Sequence, residues 1–124
     1  MTEQLVESSL TVDQAKIDLY ADITDDHNPI HVDPDFAAKT EMGGVIAHGT
    51  MSMNLIWRSI GKTFGQTAEA TSELDIRFVR PVRVGDVVTA GGAPTPDRPG
   101  VWQVWVRNQN GDNVIEGTVT LPQV

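Results

Sequence analysis

The chain is predicted to adopt an α+β fold: a single domain over residues 1–124, with a curved antiparallel sheet wrapped around one long central helix. Three observations predict it. Helical patterns fill the first half and period-two strand patterns the second, and runs of helix followed by runs of strand mark α+β architecture. The most apolar helical stretch, residues 50–63, lies at the junction of the two halves, where a sheet could enclose it. The 124 residues suffice for one core and leave little room for a second module.

Each element follows from its own residues. Leu5, Val6 and Leu10 make residues 1–10 a short strand or an extended lead-in. Thr11 is the expected N-cap of a first helix, with Gln14 at the reciprocal capping-box position. Val12, Ala15, Leu19 and Ile23 form its apolar stripe, and it should end near Asp22 to Thr24. The stretch Asp26 to Pro34 then reads as a loop turned at Asn28-Pro29, since Pro29 fixes its own φ and biases Asn28 away from helical geometry. Asp33 caps a short helix that starts with Pro34, whose missing N–H is not needed in a first turn. Phe36, Ala37 and Ala38 are expected to pack inward.

Gly43-Gly44 breaks the pattern before the 50–63 helix. There Met51, Leu55 and Arg58 share one stripe, while Met53, Ile56, Trp57 and Ile60 cover adjacent directions, so the helix is expected to be buried nearly all round. Asn54 is the exception, because a buried amide needs a partner. Gly61 and Gly65 end the element. Leu74, Ile76 and Phe78 alternate with charged residues in a strand that Pro81 stops. Gly85-Asp86 turns into a strand over residues 87–90, residues 91–100 read as a Gly- and Pro-rich loop, and Trp102, Val104 and Val106 face one side of the next strand. Asn110-Gly111 is a hairpin turn leading to a last strand with Ile115, Gly117, Val119 and Leu121 on one face. So few strands cannot close into a barrel, which leaves an edge for a partner chain.

Composition excludes several function classes. A formal net charge of -8 argues against nucleic-acid binding, which needs a basic surface. Without cysteine there is no disulfide, thiolate metal site or Cys nucleophile. Separately, no metal and no cofactor is expected. No apolar run reaches the ~18 residues of a membrane span, and the N-terminus lacks a basic segment followed by an apolar one, so a soluble, cytoplasmic protein is expected.

The chemistry-bearing stretch is Asp26-His27-Asn28-Pro29-Ile30-His31-Val32-Asp33-Pro34, which holds two of the three histidines. A turn at Asn28-Pro29 can aim Asp26 and His31 at one point, where a carboxylate and an imidazole could hold a water and move its protons. Taken alone, the stretch is equally a surface turn with a helix cap.

Three blocks set that choice in context: Asp26-x-Asn28-Pro29-x-His31-x-Asp33-Pro34-x-Phe36-Ala37, Gly44-Val45-Ile46-Ala47-His48-Gly49, and Phe78-x-x-Pro81-Val82-x-x-Gly85-Asp86. In them the chain resembles the MaoC-like, R-specific enoyl-thioester hydratase family, which has the hot-dog fold. The first block is specific, the second moderately so, and the third recurs in hot-dog proteins of other activities. Together they span residues 12 to 90, and the last strands agree in pattern only.

The resemblance implies a hydro-lyase of fatty-acid metabolism. Asp26 and His31 would be the catalytic pair, gripping the water that adds across a 2-enoyl-CoA, or less readily a carrier-protein thioester, to give the (3R)-3-hydroxyacyl product. The reverse is dehydration. The N–H of Gly49 would receive the charge on the thioester oxygen, with Asn28 and Asn54 beside the substrate; Asn54 would either hydrogen-bond Asp26 or be a satisfied core amide. Lys62, Arg77, Arg80 and Arg83 are the candidates for CoA phosphates in an acidic chain. A homodimer is implied, or a heteromer with a related hot-dog subunit.

The chain departs from the family at Asp25, where a small residue is usual, and at Asn54, where Ser is frequent. Asp25 and His27 are expected to point to solvent, and His48 to fix the loop-to-helix turn. The competing readings are a hot-dog thioesterase and a hot-dog subunit that serves a heteromeric acyl-CoA hydratase.

Overall fold

In the computed structural model, which describes residues 4–122, ten elements follow one another. Residues 1–3 of the expected lead-in, and the last two of the chain, lie outside the described residues. The elements are β1 (Ser8–Thr11), α1 (Gln14–Thr24), α2 (Pro29–Val32), α3 (Pro34–Ala38), α4 (Gly49–Phe64), α5 (Gln66–Thr71), β2 (Glu73–Phe78), β3 (Val87–Pro94), β4 (Val101–Arg107) and β5 (Asn113–Thr120). The strands form one antiparallel sheet in the order β1-β3-β4-β5-β2. Helix α4 packs on β1, β3 and β4, the α+β hot-dog arrangement.

The core lies between α4 and the sheet. Leu55, Ile56 and Ile60 meet Val88, Val104, Val106 and Val119, all buried. Burying one such aliphatic side chain contributes about 1.5–3 kcal/mol, so this seam is the main fixture of α4. The helix is not buried all round as expected. Asn54 and Arg58 are exposed and Met53 and Trp57 half-buried, because the sheet covers only one side.

The start of α1 differs from expectation. Thr11 belongs to β1, paired with Val87, and Val12 exchanges backbone hydrogen bonds with the 85–86 turn. The cap is therefore Asp13, whose carboxylate accepts from the Lys16 N–H and is held below the usual carboxylate range mainly by that bond. The buried face is Ile17 and Ala21, while Leu19 and Ile23 are 60% and 72% exposed. A two-residue offset is a rotation of roughly 200° on a helix, enough to exchange the faces.

Helix α3 is capped by Asp33 as expected, but of its apolar residues only Ala37 is buried. The stretch expected as a plain loop contains the single turn α2, and α5 follows Gly65 where no element is expected. The Glu69 side chain of α5 occupies the space that a Cβ at Gly61 would fill.

Strand β3 runs through residues 91–94, expected as loop. Its glycines are there for close packing: a Cβ at Gly91 would lie 2.8 Å from Trp105 Nε1, and one at Gly92 2.6 Å from the Gln103 carbonyl. A register shift at Val106/Arg107 makes Val114 an extra residue in β5, so Val114 and Ile115 are both buried.

Candidate active site

The site is assembled from the end of α1, α2 and the start of α4. Asp25, with φ 55° and ψ 36°, is left-handed and ends α1. That conformation explains why a small residue suits this position. The Asp25 side chain is 98% exposed, as expected, and 3.5 Å from His27 Nδ1. His27 Nε2 lies 2.9 Å from Asp22 Oδ1 at the surface.

The Asp22 hydrogen bond raises the His27 pKa above its ordinary value, with Coulombic help from Asp22, Asp25 and Asp26. Protonated His27 is thus the bound form. Its contribution to stability is complete below the pKa of the unfolded chain and is lost as pH rises through the folded value. An NMR titration is expected to find His27 above a free histidine, and Asp22→Asn should lower it.

Asn28 caps α2, its side-chain oxygen accepting from the Ile30 N–H at 3.1 Å. The cap turns His31 toward the segment before α4. There Nδ1 lies 2.7 Å from the Ile46 carbonyl oxygen, which can only accept, so Nδ1 carries a proton and Nε2 is the ring nitrogen left to act in the cleft. The Ile46 N–H bonds back to the Ile30 carbonyl at 3.2 Å, and the Gln14 amide donates to the His31 carbonyl at 2.9 Å.

His48 is buried, 3% exposed, and its Nε2 lies 2.9 Å from the Asp26 carbonyl oxygen, to which it donates. Its ring stacks on His31 with centroids 3.9 Å apart and meets the edge of Tyr20 at 5.0 Å. The loop carrying Asp26 is thereby tied to the turn that starts α4. His48 Nδ1 is buried without a partner.

Asp26, His31 and His48 line a cleft of about 540 Å³ whose other walls include Gly49, Met42, Phe78 and Val79. Each of the three presents a ligand atom within 4.8 Å of the others'. Among the described residues this is the one cluster that could hold a metal ion, and the same carboxylate and imidazole groups suit a water molecule. The N–H of Gly49, at the first turn of α4, has no protein acceptor among the described residues. A helix N-terminus with a free N–H favours negative charge.

Of the residues the sequence singles out, the structure brings Asp26, His31, Gly49 and Arg80 to this cleft. Arg83 is not among the lining residues; its guanidinium lies against Gly44. Asn28 is engaged as a cap. Asn54 is neither a core amide nor a partner of Asp26; it is exposed and donates to the Tyr20 hydroxyl at 3.3 Å. Arg77 pairs with Glu116 at 3.0 Å, and Lys62 donates to the Glu7 carbonyl and lines a separate shallow depression with Asn54 and Arg58.

Sequence reasoning missed Thr50 and Ser52 in the cleft wall, Phe78 as a wall residue, and Tyr20 behind His48. Phe78 carried a signal as the first residue of the third block, and Tyr20 as the one tyrosine of the chain.

The family profile of the MaoC-like domain matches residues 2–122, and the chain belongs to that family. It is 42% identical over 85 residues to nodulation protein N of Rhizobium meliloti (strain 1021), an alignment covering 64% of this chain and 53% of that protein. It is 32% identical over 114 residues to an (R)-specific enoyl-CoA hydratase of Rhodospirillum rubrum, covering 90% and 79%. The chain thus spans about half the length of the nodulation protein and more of the hydratase. Among solved structures it is similar to the (R)-hydratase of A. caviae involved in PHA biosynthesis, with a TM-score of 0.79, 28% identity, and coverage of 98% of this chain and 96% of that one. No helix among the described residues is long and apolar enough to cross a membrane.

Proposed function

We propose that the chain catalyses (R)-specific hydration of 2-enoyl-CoA thioesters to (3R)-3-hydroxyacyl-CoA, or the reverse dehydration. The observation that carries this reading is the 2.7 Å bond from His31 Nδ1 to the Ile46 carbonyl, which fixes the ring and leaves Nε2 to exchange a proton in a cleft shared with Asp26.

In the hydration direction, water sits between the Asp26 carboxylate and His31 Nε2. Its oxygen bonds to C3 as the pair removes a proton, and the C2–C3 π electrons move toward the thioester carbonyl. The enolate charge collects on the thioester oxygen, where the N–H of Gly49 receives it. C2 then takes the proton back from the Asp–His pair. The reaction is redox-neutral and needs no cofactor.

The likeness to the R. rubrum and A. caviae (R)-hydratases supports the reaction class and its stereochemistry. The open edge of β2, beside the 55% exposed Phe78 and 45% exposed Val79 of the cleft rim, supports an assembly in which a second hot-dog subunit, identical or related, completes the pocket.

Incubation with a short-chain 2-enoyl-CoA, followed by chiral analysis, tests the reading. The expected result is loss of the conjugated thioester and a (3R) product. A (3S) or racemic product, or no hydration, would overturn it, and release of free CoA instead would identify a thioesterase. Neutralising Arg80 and Arg83 together is expected to raise KM for the CoA thioester several-fold, roughly 10-fold at most, with kcat nearly unchanged, as for loss of uniform binding. An unaltered KM removes both from the phosphate site.

A further inference from the structure

Thr50, the second residue of α4, lines the cleft beside Gly49. A helical threonine commonly donates its hydroxyl to the carbonyl four residues back. For Thr50, the second helical residue, the residue four back is Ile46, which precedes the helix, so that bond is not offered by the helix geometry. The Tyr20 hydroxyl donates to Thr50 Oγ1 at 2.7 Å and itself accepts from the Asn54 amide at 3.3 Å. Thr50 Oγ1 is therefore an acceptor in this chain, and its own proton meets no protein acceptor among the described residues. Each donation in such a chain polarises the next, so the last O–H is the strongest donor.

We propose that the Thr50 hydroxyl is a second hydrogen-bond donor to the thioester oxygen, beside the Gly49 N–H, and that Tyr20 and Asn54 are the positioning residues that aim it. The role rests on the enoyl-thioester reading above. Thr50 and Asn54 stand one turn apart on α4 and Tyr20 reaches them from α1, so the donor is held from outside the cleft. It gives the exposed Asn54 a purpose that neither core packing nor contact with Asp26 supplies.

A double-mutant cycle on hydration of one short enoyl-CoA tests this. Thr50→Val removes the O–H and keeps the shape; it is expected to lower kcat by ~10² with KM and melting temperature little changed, the scale of losing one oxyanion donor. Thr50→Ser, which keeps the hydroxyl, should restore most of the rate. Tyr20→Phe leaves the ring edge on His48 intact, and its expected loss is smaller, roughly 3–10-fold. Because Tyr20 acts through Thr50, Tyr20→Phe should cost nothing further in the Thr50→Val background. A wild-type kcat in Thr50→Val, failure of Thr50→Ser to recover, or fully additive losses would each overturn the role while leaving the hydratase reading in place. A wild-type chain that hydrates no enoyl-CoA overturns that reading and this role with it.

Discussion

Asp26→Asn and His31→Asn are each expected to lower kcat for enoyl-CoA hydration by ~10²–10⁴, the usual worth of a positioned acid or base. The two variants are chosen to spare the fold. Asp26 is tied to His48 through its main-chain carbonyl, which the substitution does not touch. Its side chain adds a 3.4 Å contact with the Asn28 N–H, which an amide oxygen can still make, and a longer 4.0 Å approach to His48 Nε2. In His31→Asn the amide nitrogen stands in for Nδ1 and can still donate to the Ile46 carbonyl, while Nε2 is gone. His31→Ala removes the anchor as well and should also lower the melting temperature. If one water is held by both groups, either loss disables it, and the double variant should be little slower than the slower single. Kinetics of all three with melting curves decide the matter. Fully additive losses in folded proteins would mean the two groups act independently.

The second large effect is expected at Gly49, where the structure changes how the experiment must be built. A Cβ at Gly49 would lie 2.7 Å from Phe78 Cε1 and 3.0 Å from Cδ1, so Gly49→Ala pushes on the ring even though it keeps the N–H. A rate loss in that variant alone would be ambiguous. With Phe78→Ala as the background, Gly49→Ala and Gly49→Pro differ mainly in the donor. Proline is tolerated in the first turn of a helix, and His48, at φ -60° and ψ 133°, already has the extended backbone that a following proline requires. The Pro variant is expected to be slower than the Ala variant by ~10²–10³ in kcat, or ~2.7–4 kcal/mol of transition-state stabilisation. Equal kcat values in two folded variants would remove the Gly49 N–H from the mechanism.

What could be read from the sequence was governed by the range of the interactions involved. Period-two alternation located β2, β4 and β5, since an antiparallel strand announces its buried face locally. Asp33-Pro34 and Asn110-Gly111 were legible because cap and turn chemistry involve neighbouring residues. The α1 cap was not, because β1 takes up Thr11 by pairing with Val87, distant in sequence. Gly91 and Gly92 resembled loop residues, because the Trp105 ring and Gln103 carbonyl that require their small size lie on the neighbouring strand.

The same distinction holds at the candidate site. The motif spacing pointed to Asp26, His31 and Gly49, which do meet in one cleft, whereas Tyr20 and Thr50 are joined only by a hydrogen bond across 30 positions. Asn54 is exposed and not in the core, because helical periodicity says which residues share a face but not how much of the helix the sheet covers.

Four of the ties that hold the Asp26–His31 loop end on main-chain oxygens. His48 donates to the Asp26 carbonyl, His31 to that of Ile46, Gln14 to that of His31, and the Ile46 N–H to the carbonyl of Ile30. Every residue has such an oxygen, so the anchoring is indifferent to which side chains stand at 26, 30 and 46. Ile46 itself is one of the residues that line the cleft. A lineage can therefore exchange Ile46 for a smaller or larger apolar residue while the carbonyl at that position keeps the His31 ring where it is. Change in the lining of the cleft and retention of the Asp–His pair are thus separable, because the pair is held through a peptide oxygen that any residue at position 46 supplies.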